Sequence, residues 1–342
     1  MMAWLKRGRE DDGDHSRKKQ RSSSASSDTG TERAGTETCG GQIVLILVSD
    51  THKEHESLKM PPKDQFSQDS VTVLACLGDF ESASGIETWM EKQPYDHKLI
   101  ICGNHDRTFK NLDAHVGAGR MYETYQDALD GGLEQQKGIN GFRKESLIRS
   151  AAFLHNAGVK LSNNSRRTLC IYGTPFHTHD PKNSSMNDRH FEKPESELTE
   201  IFARIPEITQ VLLTHAGPFG YLDATGTEEH LGSSALKKRI DALHCLAVHA
   251  FGHCHAAQTS TPEMTDLIVQ ESGNKKNEGR DVRAVRDAKG RVFANAAGMK
   301  VPKGVHWKLG DNSDRKKQRA PLVLRLDPCV GGSGWDVSTM ES

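Results

Sequence analysis

"QIVLILVSDTH", residues 42–52, runs through six consecutive apolar residues and stops abruptly at Ser49 and Asp50. A run that is apolar on both faces reads as a strand covered on both sides, the condition of strands in parallel sheets. The same shape returns in "VTVLACLGDF" (71–80) and "KLIICGNHD" (98–106). Between those two lies "SGIETWMEKQP", in which Ile86, Trp89 and Met90 share one helical face and Pro94 follows the end. Strand, helix, strand in this order predicts a βαβ unit with a parallel sheet. Working outward, "RTLCIYGTPFHTHD" (167–180), "QVLLTHAGPFG" (210–220) and "LAVHAFGHCH" (246–255) are further apolar runs ending in polar clusters. "GRVFANAAG" and "APLVLRLDP" supply closing strands. Open α/β sheets place their sites at the carboxyl ends of such strands, and the polar clusters fall there.

The rest of the chain sets bounds. Residues 1–41 are rich in Ser, Gly, Thr and charge with almost no apolar periodicity, which predicts a disordered tail. One domain is expected over 42–330 and a flexible C-terminal tail over 331–342. Residues 107–150 read as largely helical, and 262–290 and 302–319 as polar loop insertions. No run approaches the roughly 18 apolar residues of a membrane span, and the first residues lack an apolar signal-peptide core. The seven cysteines show no C-x-x-C spacing, and three of them, Cys76, Cys102 and Cys170, sit in apolar runs, which suits a reducing compartment. A cytoplasmic location is the expectation. Two copies of "RKKQR", at 17–21 and 315–319, raise a nuclear alternative. A formal net charge of −1 gives no global reason to expect nucleic acid or an anionic membrane as partner. Oligomeric state is left open.

The strand-end residues are Asp50 and His52, Asp79, Asn104 and His105, His215, and His253 with His255. Histidines two apart on an extended segment project to one side. With 17 histidines in the chain, one H-x-H pair is a weak signal. Singly, Asp50 and Asp79 read equally well as helix caps and Asn104 as a turn residue. Together they read as a site for two divalent ions, because attack of water on phosphorus at neutral pH is work for a metal that lowers the water's pKa. Two ions roughly 3.5–4 Å apart need a shared oxygen ligand, and Asp79 can serve. Two such ions, two carboxylates and one shared hydroxide leave about one net positive charge, which favours an anionic substrate. Mixed nitrogen and oxygen donors suit Mn, Fe, Zn or Co.

"SDTH" (49–52), "GDF" (78–80), "GNHD" (103–106), "LTHAGP" (213–218) and "GHCH" (252–255) resemble, in order and spacing, the motifs of the calcineurin-like metallophosphoesterase superfamily. The stretches "LIICGNHDRTF", "CIYGTPF" and "IPEITQVLLTHAGPFGYLD" resemble most its metallophosphoesterase-domain-containing branch. That resemblance implies a four-layer α-β-β-α sandwich of two mixed sheets flanked by helices. It implies that Asp50, His52 and His255 bind one metal, that Asn104, His215 and His253 bind the other, and that Asp79 bridges. His105 matches the histidine thought to protonate the leaving oxygen, with Asp106 orienting its ring and holding it protonated.

The stretch "GDFESASG" lacks the arginine of the Ser/Thr protein phosphatases of this superfamily. The resemblance points instead to a phosphodiesterase acting on a small-molecule phosphoester, with cyclic nucleotides among the candidates. A phosphomonoesterase or protein phosphatase, and a catalytically idle scaffold of the same fold, are the alternatives. His177 and His179 in "GTPFHTHD" (173–180) read as substrate contacts, as loop residues or as a third metal site. The rings of "HAGPFGYLD" read as a base-stacking surface or as core closure.

Overall fold

The computed structural model describes residues 41–117, 119–138, 143–178, 190–224, 230–255, 265–271, 280–297, 320–329 and 334–340. The 1–41 tail (apart from Gly41), the 302–319 insertion and both "RKKQR" segments lie outside the described residues.

The three opening runs form β1 (Ile43–Val48), β2 (Val71–Leu77) and β3 (His97–Ile101), paired in parallel. They are joined in a six-stranded sheet by β5 (Ala152–Phe153), β15 (Leu322–Pro328) and β16 (Trp335–Met340), in the order β16-β15-β1-β2-β3-β5. A second sheet of eight strands contains β4 (Arg120–Tyr122), β6 (Ala157–Ser162), β7 (Thr168–Thr174), β10 (Val211–Thr214), β11 (Val248–Phe251), β12 (Thr265–Glu271), β13 (Arg280–Arg286) and β14 (Val292–Asn295). At its centre β7, β10, β11 and β14 run parallel, while β6 is antiparallel to β7 and parallel to β4, and β13 is antiparallel to both neighbours. β8 (His177–Thr178) and β9 (Glu192–Lys193) pair in a separate two-stranded sheet.

Alternation along the strands explains the layers. Ile43, Leu45 and Leu47 of β1 join Val211 and Leu213 of β10 in the core between the sheets. Val44, Ile46 and Val48 face the other way and join Ile86, Trp89 and Met90 of α1 (Ala83–Lys92). On the second sheet, Leu212 and Phe293 cluster with buried residues of α3 (Glu195–Phe202) and α4 (Ser234–Ala242). The fold is the expected α/β sandwich of two mixed sheets flanked by helices. Ser82 caps α1 by accepting the Gly85 amide at 3.2 Å, which fixes where the helix starts after the Asp79 loop.

Three expectations are corrected. The 331–342 segment contains β16, whose Trp335 and Val337 are buried while Asp336 points out, a two-residue period too short to announce a strand. The 262–290 segment supplies the antiparallel pair β12 and β13, with β12 at the edge of the second sheet and Val282, Ala284 and Val285 of β13 buried, a short apolar set interrupted by arginines that does not announce a strand. The described part of 107–150 holds one α-helix, α2 (Tyr125–Lys137), together with short 3-10 turns and β4, the polar stretches being too weakly amphipathic for more. No described helix is long and apolar enough to cross a membrane.

Candidate metal centre

The topology assembles the site from neighbouring strand ends. Asp50 and His52 follow β1, Asp79 follows β2, and Asn104, His105 and Asp106 follow β3. From the second sheet, His215 follows β10 and His253 and His255 follow the adjacent β11. The two sheets meet here, since His215 Nδ1 lies 2.8 Å from the carbonyl oxygen of Leu77, the last residue of β2. The glycines of the motifs allow that approach. A β-carbon on Gly103 would overlap Asp79 Oδ1 and the His215 ring, and one on Gly252 would overlap Ser49 Oγ and Asp50 Oδ2.

Backbone conformation marks the same place. Asp50 (φ 54°), His52 (φ 43°), Asp79 (φ 56°), Glu81 (φ 61°) and His253 (φ 63°) all occupy the left-handed region. Such residues cost on the order of 1–3 kcal/mol each and cluster at functional sites. A hydrogen-bond frame holds them: Asp50 N donates to Gly78 O (3.0 Å), His52 N to Asp79 O (2.9 Å) and His253 N to Asp50 Oδ2 (2.9 Å).

Asp106 belongs to that frame. Its Oδ2 accepts the amides of Asp79 (2.9 Å) and Gly103 (2.7 Å), and its Oδ1 those of Phe80 (2.9 Å) and Glu81 (2.7 Å). This corrects the expectation that Asp106 orients the His105 ring. A carboxylate offers about four acceptor positions, and the amides of the β2 and β3 loops take them. His105 is instead positioned through its backbone, whose N–H donates to Asp79 Oδ1 at 2.8 Å. Its ring lies with Nε2 4.0 Å from Asp79 Oδ2 and is 30% exposed, on the open side of the site.

Electrostatics follow from burial. Burial alone would raise the Asp79 carboxyl, but His215 and His105 beside it hold it well below the usual carboxylate range. Burial likewise opposes ionisation of Asp50, and His255, bonded to it, holds that carboxyl down. Burial would lower His215, yet Asp79 and then Asp50 push it up to about 9. Burial and the Asp79 charge push Asp106 up, to about 7, against the pull of its amides.

The donor atoms suit metal ions. His255 Nε2 lies 3.0 Å from Asp50 Oδ1, Asn104 Oδ1 3.0 Å from His215 Nε2, and Asp79 Oδ2 3.5 Å from His215 Nε2. Donors bound at about 2.0–2.2 Å to one ion stand about 3.0–3.5 Å apart at octahedral to tetrahedral angles. Ligand atoms of Asp50, His52 and His255 lie within 4.8 Å of one another, as do those of Asp79, His215 and His253. These residues could hold two ions, and His52, Glu81 and His105 form a third group within the same distance.

Of two further residues near the centre, Glu81 is missed from sequence and His177 stands open among three readings. Glu81 Oε1 lies 2.7 Å from His52 Nδ1, and that hydrogen bond brings the Glu81 carboxyl down to about 2. No spacing rule marks it, since it arrives through the left-handed turn after Asp79. His177 is buried with its ring centroid 5.3 Å from those of both His215 and His253. His179 lies outside the described residues. Of the aromatic loop, Tyr221 stacks on Phe293 at 4.0 Å and closes the core, whereas Phe219 is 43% exposed beside His230. Asn295 Nδ2 donates to both Leu222 O (3.1 Å) and Cys254 O (2.9 Å), tying that loop to the histidine loop.

A two-sheet α/β sandwich with this donor set at its strand ends defines a metal-dependent class of phosphoester enzymes. Residues 43–257 match the calcineurin-like phosphoesterase family, and the chain belongs to it. It is 28% identical over 220 residues to a UPF0046 protein of Caenorhabditis elegans, covering 62% of this chain and 63% of that protein. It is 26% identical over 240 residues to human metallophosphoesterase domain-containing protein 1, covering 68% of this chain and 66% of that one. The chain thus spans a little under two thirds of the length of these relatives. Among solved structures, a phosphopantetheinyl hydrolase of Mycobacterium tuberculosis is similar over 82% of this chain and 96% of its own, with TM-score 0.38 and 13% identity.

Proposed function

We propose that this chain is a phosphodiesterase that works with two divalent ions, drawn from Mn, Fe, Zn or Co. The observation that carries the reading is the pair of adjoining donor groups, Asp50 with His52 and His255, and Asp79 with His215 and His253, each compact to 4.8 Å. Asn104 joins the second group through its 3.0 Å contact with His215. When bound, the ions would supply an activated water and a clamp on phosphate oxygens. The chain's own residues do the rest.

His105, on the open side, is placed to give a proton to the departing oxygen, a step worth typically 10²–10⁴-fold. Asp79, fixed by its own amide and by the amide of His105, holds the shared position rigid. Glu81 fixes the His52 ring through Nδ1, which leaves Nε2 as the donor. A positive two-ion site attracts phosphoester anions of either kind, and the diester reading is supported instead by "GDFESASG", which lacks the arginine of the protein phosphatases. The exposed Phe219 ring, in a loop tied to the histidine loop, supports a flat leaving group such as a nucleobase-bearing one.

The test is turnover of a chromogenic diester and its matching monoester by chelator-stripped protein reloaded with Mn²⁺ and other divalent ions. Metal-restored diester hydrolysis, lost in His253→Ala, is expected. Monoester preference would replace the reading with a phosphomonoesterase. Absence of turnover by well-folded, metal-loaded protein would favour a scaffold.

A further inference from the structure

His177 comes from the segment that follows β7, and β7 is the direct neighbour of β10, which is in turn the neighbour of β11. Three adjacent parallel strands therefore each deliver one imidazole to the same end of the sheet: His177, His215 and His253. Their ring centroids form a triangle with sides of 5.0 Å (His215–His253), 5.3 Å (His177–His215) and 5.3 Å (His177–His253). Imidazoles bound to one ion at about 2.1 Å place their centroids about 4.6–5.3 Å apart between octahedral and tetrahedral angles. The observed triangle falls in that range.

The hydrogen bonding of the ring agrees. His177 Nδ1 lies 3.0 Å from the carbonyl oxygen of Pro175, so that nitrogen carries the hydrogen and donates it. Metal-binding histidines typically spend their other ring N–H on a backbone carbonyl or carboxylate, as His215 does with Leu77. The remaining atom, His177 Nε2, is buried and has no hydrogen-bond partner among the described residues. The residue is 2% exposed, so water does not satisfy that lone pair from the outside. An orphaned buried acceptor is destabilising unless something binds it.

We propose that His177 is a further ligand of the ion held by Asn104, His215, His253 and Asp79, binding through Nε2. The inference rests on the two-ion reading above. An imidazole adds a donor without adding charge, so the attraction for an anionic substrate is kept. It also leaves this ion with five protein donors against four at its neighbour (Asp50, His52, His255 and the shared Asp79), so the neighbour keeps more room for substrate oxygen.

The experiment is calorimetric titration of the full, chelator-stripped chain with Co²⁺, for wild type, His177→Phe and His177→Ala. The expected result is that His177→Phe binds one ion unchanged and the other at least about tenfold more weakly, a loss no smaller than that from removing an outer partner of a ligand. Added free imidazole should recover the weakened step in His177→Ala, where it has a cavity to enter, and not in His177→Phe. Two unchanged binding steps in folded variants would overturn the proposal, and so would equal weakening of both ions. Should His177→Phe fail to fold, imidazole recovery in His177→Ala decides. A wild-type chain that binds no Co²⁺ would overturn the two-ion reading, and this inference with it.

Discussion

The carboxylate of Asp106 holds the amide of Asp79 at 2.9 Å and, with three further amides, locks the loops after β2 and β3 together. Asp106→Asn would turn two acceptor positions into N–H groups facing N–H groups. The expected cost is about 2–4 kcal/mol of stability, read as a lower urea midpoint, with metal binding weakened as Asp79 loosens. A variant of wild-type stability whose only change is a shifted pH–rate profile would restore the ring-orienting role for Asp106.

Glu81 acts on a metal donor from behind. Replacing it by Gln removes the charge from the 2.7 Å bond to His52, and replacing it by Ala removes the bond. Metal affinity should fall about 10–100-fold in Glu81→Ala and less in Glu81→Gln. Equal affinities in wild type and Glu81→Ala, measured by competition with a chromogenic chelator, would show that the ring is held by packing alone.

His105→Ala should separate chemistry from assembly. Two ions should still bind, while kcat for the diester falls about 10²–10⁴-fold. The loss should be smaller for a substrate with an acidic leaving phenol, which needs little protonation. Equal losses for good and poor leaving groups would argue against proton donation.

Two histidines away from the donor groups make stability depend on pH. Burial pushes His155 down to about 4 and His249 down to about 3. Both rings are neutral in the fold, whereas in the unfolded chain they take protons below about 6.5. The unfolded state therefore binds more protons in this window, and stability falls as pH drops from about 6.5 toward 4. A tenfold difference in proton affinity between the two states is worth about 1.4 kcal/mol, so the combined loss between pH 7 and 5 should reach roughly 2–4 kcal/mol. His155→Gln should flatten part of that slope in urea titrations at the two pH values. An unchanged slope would place the pH dependence elsewhere.

Phe219→Ala should raise KM for a nucleotide diester while leaving kcat and the turnover of a small chromogenic diester almost unchanged. An unaltered KM would assign the exposed ring to the loop's own packing against His230 at 4.7 Å.

The central strands and the candidate donors' common place at one end of the sheets could be read from sequence for one reason. Apolar runs such as Ile43–Val48 are buried on both faces, and the polar residues that end them lie at one edge of a sheet. What escaped was whatever depends on contacts between distant segments. Trp335 and Val337 bury only two residues on one face, so β16 becomes visible only beside β15. Asp106 lies next to His105 in the chain, which invites pairing the two, yet its oxygens turn back to amides from Asp79 to Glu81 and at Gly103. Glu81 reaches His52 across 29 positions, through a turn whose handedness no local pattern announces.

Left-handed backbone at Asp50, His52, Asp79 and His253 has a consequence for how this protein can change. At each of these positions glycine is the residue the backbone itself would accept most readily. Exchanging a donor for glycine would relax the loop and remove a buried charge or imidazole in one step. At Asp50 and Asp79 it would also leave the amides of His253 and His105 without the carboxylate oxygens that accept them, so relief of the backbone is set against lost hydrogen bonds. At these four positions the shape of the loop and the chemistry of the side chain are therefore coupled, and neither can be altered without the other.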